Sequence, residues 1–368
     1  MIRLQETLPD GYADAHPDEL ADRIRRAKDT LGDRLLILGH HYQREEVYRF
    51  ADATGDSFKL ARFAAERPEA DYVVFCGVHF MAESADVLTT PEQTVILPDL
   101  NAGCSMADMA DLDQVLDCWD DLNDICGTDD IVPVTYMNSS AALKAFVGQH
   151  GGAVCTSSNA EAVLRWAIED QRAAKVLFFP DQHLGRNTAI DMGYSLDDCA
   201  VWNPHKELGN LDERTIKEVQ FLLWKGHCTV HQRFRPEHVH AARAEHPDVN
   251  VIVHPECAHE VVALADHVGS TERIIDTVTA AEPGTTWAVG TEIHLVQRLT
   301  ETQAVDDKTV FSLDPLVCPC ATMFRVDAAH LCWTLENLVD GNVVNPITVD
   351  DDVAHWTRIA LERMLSIT

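Results

Sequence analysis

Lysine is scarce in this chain: eight occur in 368 residues, and 29 basic side chains stand against 60 acidic ones, a formal charge of −31. Nucleic acids and anionic membranes are held by clustered Lys and Arg, so this balance argues against both as partners. The surface reads instead as a halophile-type acidic one, because strong salt shortens the Debye length to about 3 Å at 1 M and makes such self-repulsion tolerable. No run of about eighteen apolar residues occurs, so no transmembrane helix is expected. The opening Met1-Ile2-Arg3-Leu4-Gln5 has no basic-then-apolar leader, and the expected compartment is the cytoplasm. CxxC pairs are missing although there are eleven cysteines, which excludes a local ferredoxin or zinc-ribbon motif. Their irregular spacing does not suit a disulfide framework either. Low-complexity segments are absent.

What is present is a pattern told three times. An apolar strand ends in a polar side chain, a hydroxyl opens a helix, a second strand leads to a histidine, and one cysteine follows. The first copy has His40, Ser57, His79 and Cys104; the second Tyr136, Ser157, His183 and Cys228; the third His254, Thr271, His294 and Cys318. The gaps are 17, 21 and 17 to the hydroxyl, then 22, 26 and 23 to the histidine, then 25, 45 and 24 to the cysteine. Only the 45 is out of line, so the middle copy carries an insertion of about twenty residues before Cys228.

Short continuous apolar strands (35–40, 72–76, 95–97; 131–136, 176–179; 249–254, 287–289) alternate with amphipathic helices (57–66, 159–169, 271–280). This argues for parallel sheets covered on both faces, an α/β class with ligands at the carboxyl ends of the strands. An N-terminal helix carries Leu20, Ile24 and Ala27 on one stripe. The segments 328–338 and 353–365 read as helices folding back onto the first module. The resulting division is 1–112 plus 319–368, 113–228 with the insertion, and 229–318. Three such units around a pseudo-threefold axis would each deliver one thiolate to a common point, a geometry suited to a metal cluster with three protein ligands.

Ser57, Ser157 and Thr271 stand at helix starts, where a hydroxyl caps backbone N–H groups. Converging helix N-termini would favour a carboxylate or phosphate guest. Glu256, beside His254 at a strand end, is a candidate general base. Cys320 competes with Cys318 as the third ligand, and His231 is placed to orient substrate or metal. Cys76, Cys155, Cys199 and Cys332 lie in apolar surroundings and read as small hydrophobes, and Cys118 and Cys126 as structural. Three distant thiolates leave one iron of a cubane cluster open as a Lewis acid. Two competing readings are another iron-sulfur hydro-lyase acting on a small dicarboxylate, and a non-catalytic protein holding zinc on Cys104, Cys228, Cys318 and His231.

The segments GHHYQREEVYRFADATGDS, PDLNAGCSMAD, YMNSSAALKA, VCTSSNAEAV, FFPDQHLGRN, GHCTVHQRF, HPECAHEV, VGST and VCPCATM together resemble the quinolinate synthase family of NAD biosynthesis, from about Leu35 to Leu338. The resemblance implies three similar α/β/α domains about a pseudo-threefold axis, with the active site at their common interface. It implies condensation of iminoaspartate with dihydroxyacetone phosphate to quinolinate on a 4Fe-4S cluster, with a functional link to L-aspartate oxidase. The cluster ligands it implies are Cys104, Cys228 and Cys318, the last because Pro319 and Met323 reproduce the family's Pro-x-x-x-Met. Substrate contacts carry over to His40, Ser57, Tyr136, Met137, Asn138, Ser157, His254, Pro255, Glu256 and Thr271, and catalytic roles to Glu256, Tyr42 and His40. His41 stands where many members have tyrosine and Phe324 where asparagine is common; the insertion matches a longer subfamily.

Overall fold

The computed structural model describes residues 5, 7–316 and 319–367 of the chain. Among them are three mostly parallel sheets flanked by helices, as the continuous apolar strands require. The first sheet has β1 (Leu35–His40), β2 (Ala53–Gly55), β3 (Tyr72–Cys76) and β4 (Thr94–Ile96). The second has β5 (Ile131–Tyr136), β6 (Ala153–Cys155), β7 (Lys175–Phe179), β8 (Cys199–Trp202) and β9 (Phe221–Trp224). The third has β10 (Asn250–Val253), β11 (His267–Val268), β12 (Thr286–Gly290) and β13 (Thr309–Ser312), and β14 (Pro346–Ile347) returns antiparallel to the edge of the first.

Strand register carries the repeat from sequence into structure. The orders β2-β1-β3-β4, β6-β5-β7-β9 and β11-β10-β12-β13 are the same path. The second strand pairs with a partner 15 residues back in the first and third copies (Leu38↔Ala53, Ile252↔His267) and 19 in the second (Val134↔Ala153). The third strand pairs at 37, 37 and 44 residues (Leu38↔Phe75, Ile252↔Val289, Val134↔Phe178). The fourth pairs at 22 (Val74↔Ile96), 23 (Val289↔Ser312) and 45 (Phe178↔Leu223). The long gap before Cys228 is therefore an insertion between β7 and β9, and it folds into the extra edge strand β8. In every copy the chain leaves the first strand for one side of the sheet and the third strand for the other, so a crevice opens beyond their carboxyl ends.

The chain divides into two compact units, 1–104 with 319–350 and 105–318 with 351–368. In the first, the helix Ala328–Val339 lies along Pro17–Leu31, whose Leu20, Ile24 and Ala27 are buried as expected. Arg23 donates from Nε and Nη2 to the two oxygens of Glu336 at 2.9 and 2.6 Å, and the Tyr12 hydroxyl donates to Glu336 at 2.7 Å. In the second unit the final helix, Asp351–Ser366, packs along Ala141–Gln149 instead of returning to the first module as its sequence suggested. The contact is close because Gly148 has no side chain: a Cβ there would lie 2.2 Å from the Trp356 carbonyl oxygen. Amphipathic spacing identifies a helix that needs a partner but not which one. The caps also differ from expectation. Asp56 caps the helix Ser57–Ala65 and Ser270 caps Thr271–Ala280, which puts Ser57 and Thr271 inside the first turn; Ser157 lies in the loop before Ala160–Arg165.

Gly148→Ala is expected to lower stability by about 1–3 kcal/mol or more, since backbone must move to admit the methyl group; urea unfolding measures this, and an unchanged midpoint contradicts the packing. The Arg23 guanidinium holds the Glu336 carboxyl below the ordinary range despite partial burial. A depressed carboxyl stabilises above its unfolded pKa, about 4.3, and loses that contribution as pH falls through its folded value. Glu336→Gln should therefore lower the unfolding midpoint at pH 7, and the deficit should close as the pH approaches 3.

Candidate active site

In the first unit, His40 ends β1, is buried, and pairs in register with Gly55 of β2. Its Nδ1 accepts from the Tyr42 amide at 3.1 Å, and the two rings meet edge to face at 4.9 Å. Gln43, fully buried, donates to the Met323 carbonyl at 3.3 Å, and the Arg44 guanidinium lies 3.3 Å over the Phe324 ring. This fixes the His40–Tyr42 turn against the segment that carries Cys320 and Phe324. Ser57 is buried beside it at the carboxyl end of β2, and Cys104 is half-buried at the end of the unit's first segment.

The second unit gathers most of the expected residues. Tyr136 ends β5 and Met137 donates its amide to the Cys155 carbonyl at 2.7 Å, while Asn138 and Ser157 are half-buried at the same strand ends. His254 follows β10 directly, and its amide bonds the Gly290 carbonyl at the end of β12 at 3.1 Å. The Ser158 hydroxyl donates to Ser270 Oγ at 2.9 Å, joining the Ser157 loop to the cap of the Thr271 helix. Cys318 lies outside the described residues.

At the centre is Glu256, 2% exposed. Its Oε2 accepts from His231 Nδ1 at 2.7 Å, its Oε1 is 3.9 Å from His254 Nδ1, and the Tyr136 hydroxyl also bonds it. His231 lies flat on His254, centroids 4.4 Å apart at 14°, and its Nε2 meets the Thr291 hydroxyl at 3.2 Å. Burial opposes charge on Glu256, yet the neighbouring imidazoles and the hydrogen bonds from His231 and Tyr136 hold its carboxyl below the usual carboxylate range. Burial pushes His254 down to about 3, against the pull of Glu256, so this ring is neutral near pH 7. With that ring neutral, the charge on Glu256 rests on the hydrogen bonds from His231 and Tyr136. Cys228 Sγ, a His231 nitrogen and a Glu256 oxygen lie within 4.8 Å of one another, a donor set that suits a thiolate-bound metal.

Two residues here carried no separate sequence signal. Asp181 follows β7 and is fully buried; Oδ1 accepts from the His183 and Leu184 amides, both at 2.7 Å, and the Cys228 amide also faces the carboxylate. Burial, then the nearby Glu256, pushes its carboxyl well above the ordinary range. A charged side chain directly after the apolar run 176–179 and Pro180, at the start of a helix, was the available clue. Asn187 donates to the Pro255 and Cys257 carbonyls at 2.8 and 2.9 Å, clamping the turn that carries Glu256. The other cysteines divide cleanly. Cys76, Cys118, Cys155, Cys257 and Cys332 are buried, Cys104, Cys199, Cys228 and Cys320 are half-buried, and Cys126 is exposed at a helix end, where its thiol donates to the Leu122 carbonyl at 3.4 Å.

Ionisable side chains gathered at the carboxyl ends of doubly wound sheets define an α/β enzyme that works at its switch points. The chain matches the family profile described as NadA, quinolinate synthetase A protein, over residues 22–366. It is 59% identical over 363 residues to the quinolinate synthase of Corynebacterium glutamicum, covering 99% of this chain and 91% of that protein. It is 58% identical over 350 residues to that of Streptomyces coelicolor (95% and 88%), and 51% over 366 residues to that of Anoxybacillus flavithermus (100% and 98%). The chain belongs to the quinolinate synthase family. No helix among the described residues is long and apolar enough to cross a membrane.

Asp181→Asn retains an acceptor oxygen for the two amides and should change stability by less than about 0.5 kcal/mol, whereas Asp181→Ala orphans both and should cost about 1–3 kcal/mol. Equal losses in denaturant unfolding would remove the capping role.

Proposed function

We propose that the chain condenses iminoaspartate with dihydroxyacetone phosphate to quinolinate, releasing one phosphate and two waters, as a step of NAD biosynthesis. The observation that carries this reading is the buried Glu256 between His231, His254 and Tyr136, beside the Cys228 thiol. The names of the relatives support it from a second direction.

The residues that would hold a 4Fe-4S cluster are Cys104, Cys228 and Cys318. Cys104 and Cys228 are half-buried and lie in loops outside the helices and strands, which supports that assignment. Such a cluster supplies an open iron that polarises a substrate oxygen and eases its loss as water. The protein groups do the rest. The amides at the first turns of Ser57–Ala65 and Thr271–Ala280, with the Ser57, Ser157 and Thr271 hydroxyls, offer donors to the carboxylates and the departing phosphate. Tyr136, Met137, Asn138, His254 and Pro255 shape the floor at the strand ends. Glu256 removes protons in the ketose–aldose shift and the eliminations, with neutral His254 orienting the substrate and Tyr42 or His40 returning protons. The imine reactant is unstable in water, so an oxidase acting on L-aspartate is its natural source, as a pathway link rather than a contact.

The test is an anaerobic assay for quinolinate from the two substrates with reconstituted enzyme. Cys104→Ala is expected to lose the brown visible absorbance and turnover together, and Glu256→Gln to keep the absorbance and lose about 10²–10⁴ in kcat. Near-normal turnover in Glu256→Gln would remove that residue from the chemistry, and a colourless wild-type protein with stoichiometric zinc would refute the cluster.

A further inference from the structure

We propose that His231 is the positioning residue for Glu256, and that it ties the aim of this base to the turn bearing the Cys228 thiol; the idea rests on Glu256 being the base of the reaction proposed above. Three contacts hold the imidazole. Nδ1 donates to Glu256 Oε2 at 2.7 Å, Nε2 meets the Thr291 hydroxyl at 3.2 Å, and the ring face lies against His254. The residue is 1% exposed, so water cannot substitute for a lost partner. Its backbone position is set by the turn that presents Cys228, since the Cys228 carbonyl accepts from the Gln232 amide at 2.9 Å.

The geometry divides the work between the two carboxylate oxygens. Oε2 is held by the imidazole, the Tyr136 hydroxyl adds a second hydrogen bond to the carboxylate, and Oε1 lies on the side of His254, so the group cannot rotate freely about its last bond. A base held in one orientation reacts from a single pose, whereas a freely turning one samples many unproductive poses. Thr291, at the carboxyl end of β12, in turn holds the far side of the ring and so fixes which way Nδ1 points.

Two conservative variants separate orientation from mere filling of space. An asparagine at 231 places its amide nitrogen where Nδ1 stands and can still donate to Glu256. A glutamine reaches the Nε2 position and leaves Oε2 without its donor. With anaerobically reconstituted enzyme, His231→Gln is expected to lose about 10–100-fold in kcat with KM changed less than about threefold, and His231→Asn to recover to within about fivefold of wild type. Both should keep the iron content and visible absorbance of wild type. Equal activities of the two variants, a wild-type kcat in His231→Gln, or loss of iron in step with activity would each overturn the positioning role. Glu256→Gln is assayed alongside: if it turns over normally the assignment of the base itself falls, and if it is inactive while the two His231 variants behave alike, only the role of His231 falls.

Discussion

A carboxylate taken out of water loses several kcal/mol of hydration, and it stays ionised only if fixed donors replace the water. Glu256 meets that condition through His231 and Tyr136, and much of the second unit is arranged so that these donors arrive together. The carboxylate comes from the turn after β10, the imidazole from the loop after β9, the phenol from the end of β5, and the threonine behind the imidazole from just past β12. Asn187 clamps the turn from behind through two backbone carbonyls. Each donor is thus carried by a different strand end, and none can shift without disturbing its neighbour.

Triplication explains how such a site arises from one kind of unit. The common strand path puts the same crevice at the same register in every copy, and the chemistry follows from which side chain occupies the strand end: His40, Tyr136 or His254. The insertion in the second copy is admitted as an added edge strand beyond β9, on the side of the sheet away from β6, and leaves the ends of β5 and β7 unaltered. Length was added where the repeat carries no polar strand-end residue.

Much of this was legible in the residues because buried parallel strands are short, apolar and sharply bounded, as Leu35–His40 and Ile131–Tyr136 show. The repeat was legible for the same reason, and the register bears out its spacings. What the sequence did not reveal depended on partners rather than on patterns. The amphipathic final helix gave no sign that Gly148 would admit it. The hydroxyls of Ser57 and Thr271 read as caps, but the residue before each has the extended backbone a cap requires and takes that place. Asn187 acts on backbone groups of a distant segment, and such contacts leave no periodic trace; Asp181 is a local cap of the helix Gln182–Asp191.

The burial of five cysteines in the core bears on how the protein meets oxidants. Burial pushes the Cys76 and Cys332 thiols to about 12, and raises Cys118, Cys155 and Cys257 as well. A protonated, enclosed thiol is a poor nucleophile toward alkylating agents and peroxide. Among the described residues, such reagents meet sulfur chiefly at Cys104, Cys228 and Cys320, at the exposed Cys126, and at Cys199, whose thiol burial pushes up to about 11. Oxidative damage is thereby channelled toward the half-buried and exposed sulfur atoms, Cys104 and Cys228 among them, while the hydrophobic interior stays chemically silent.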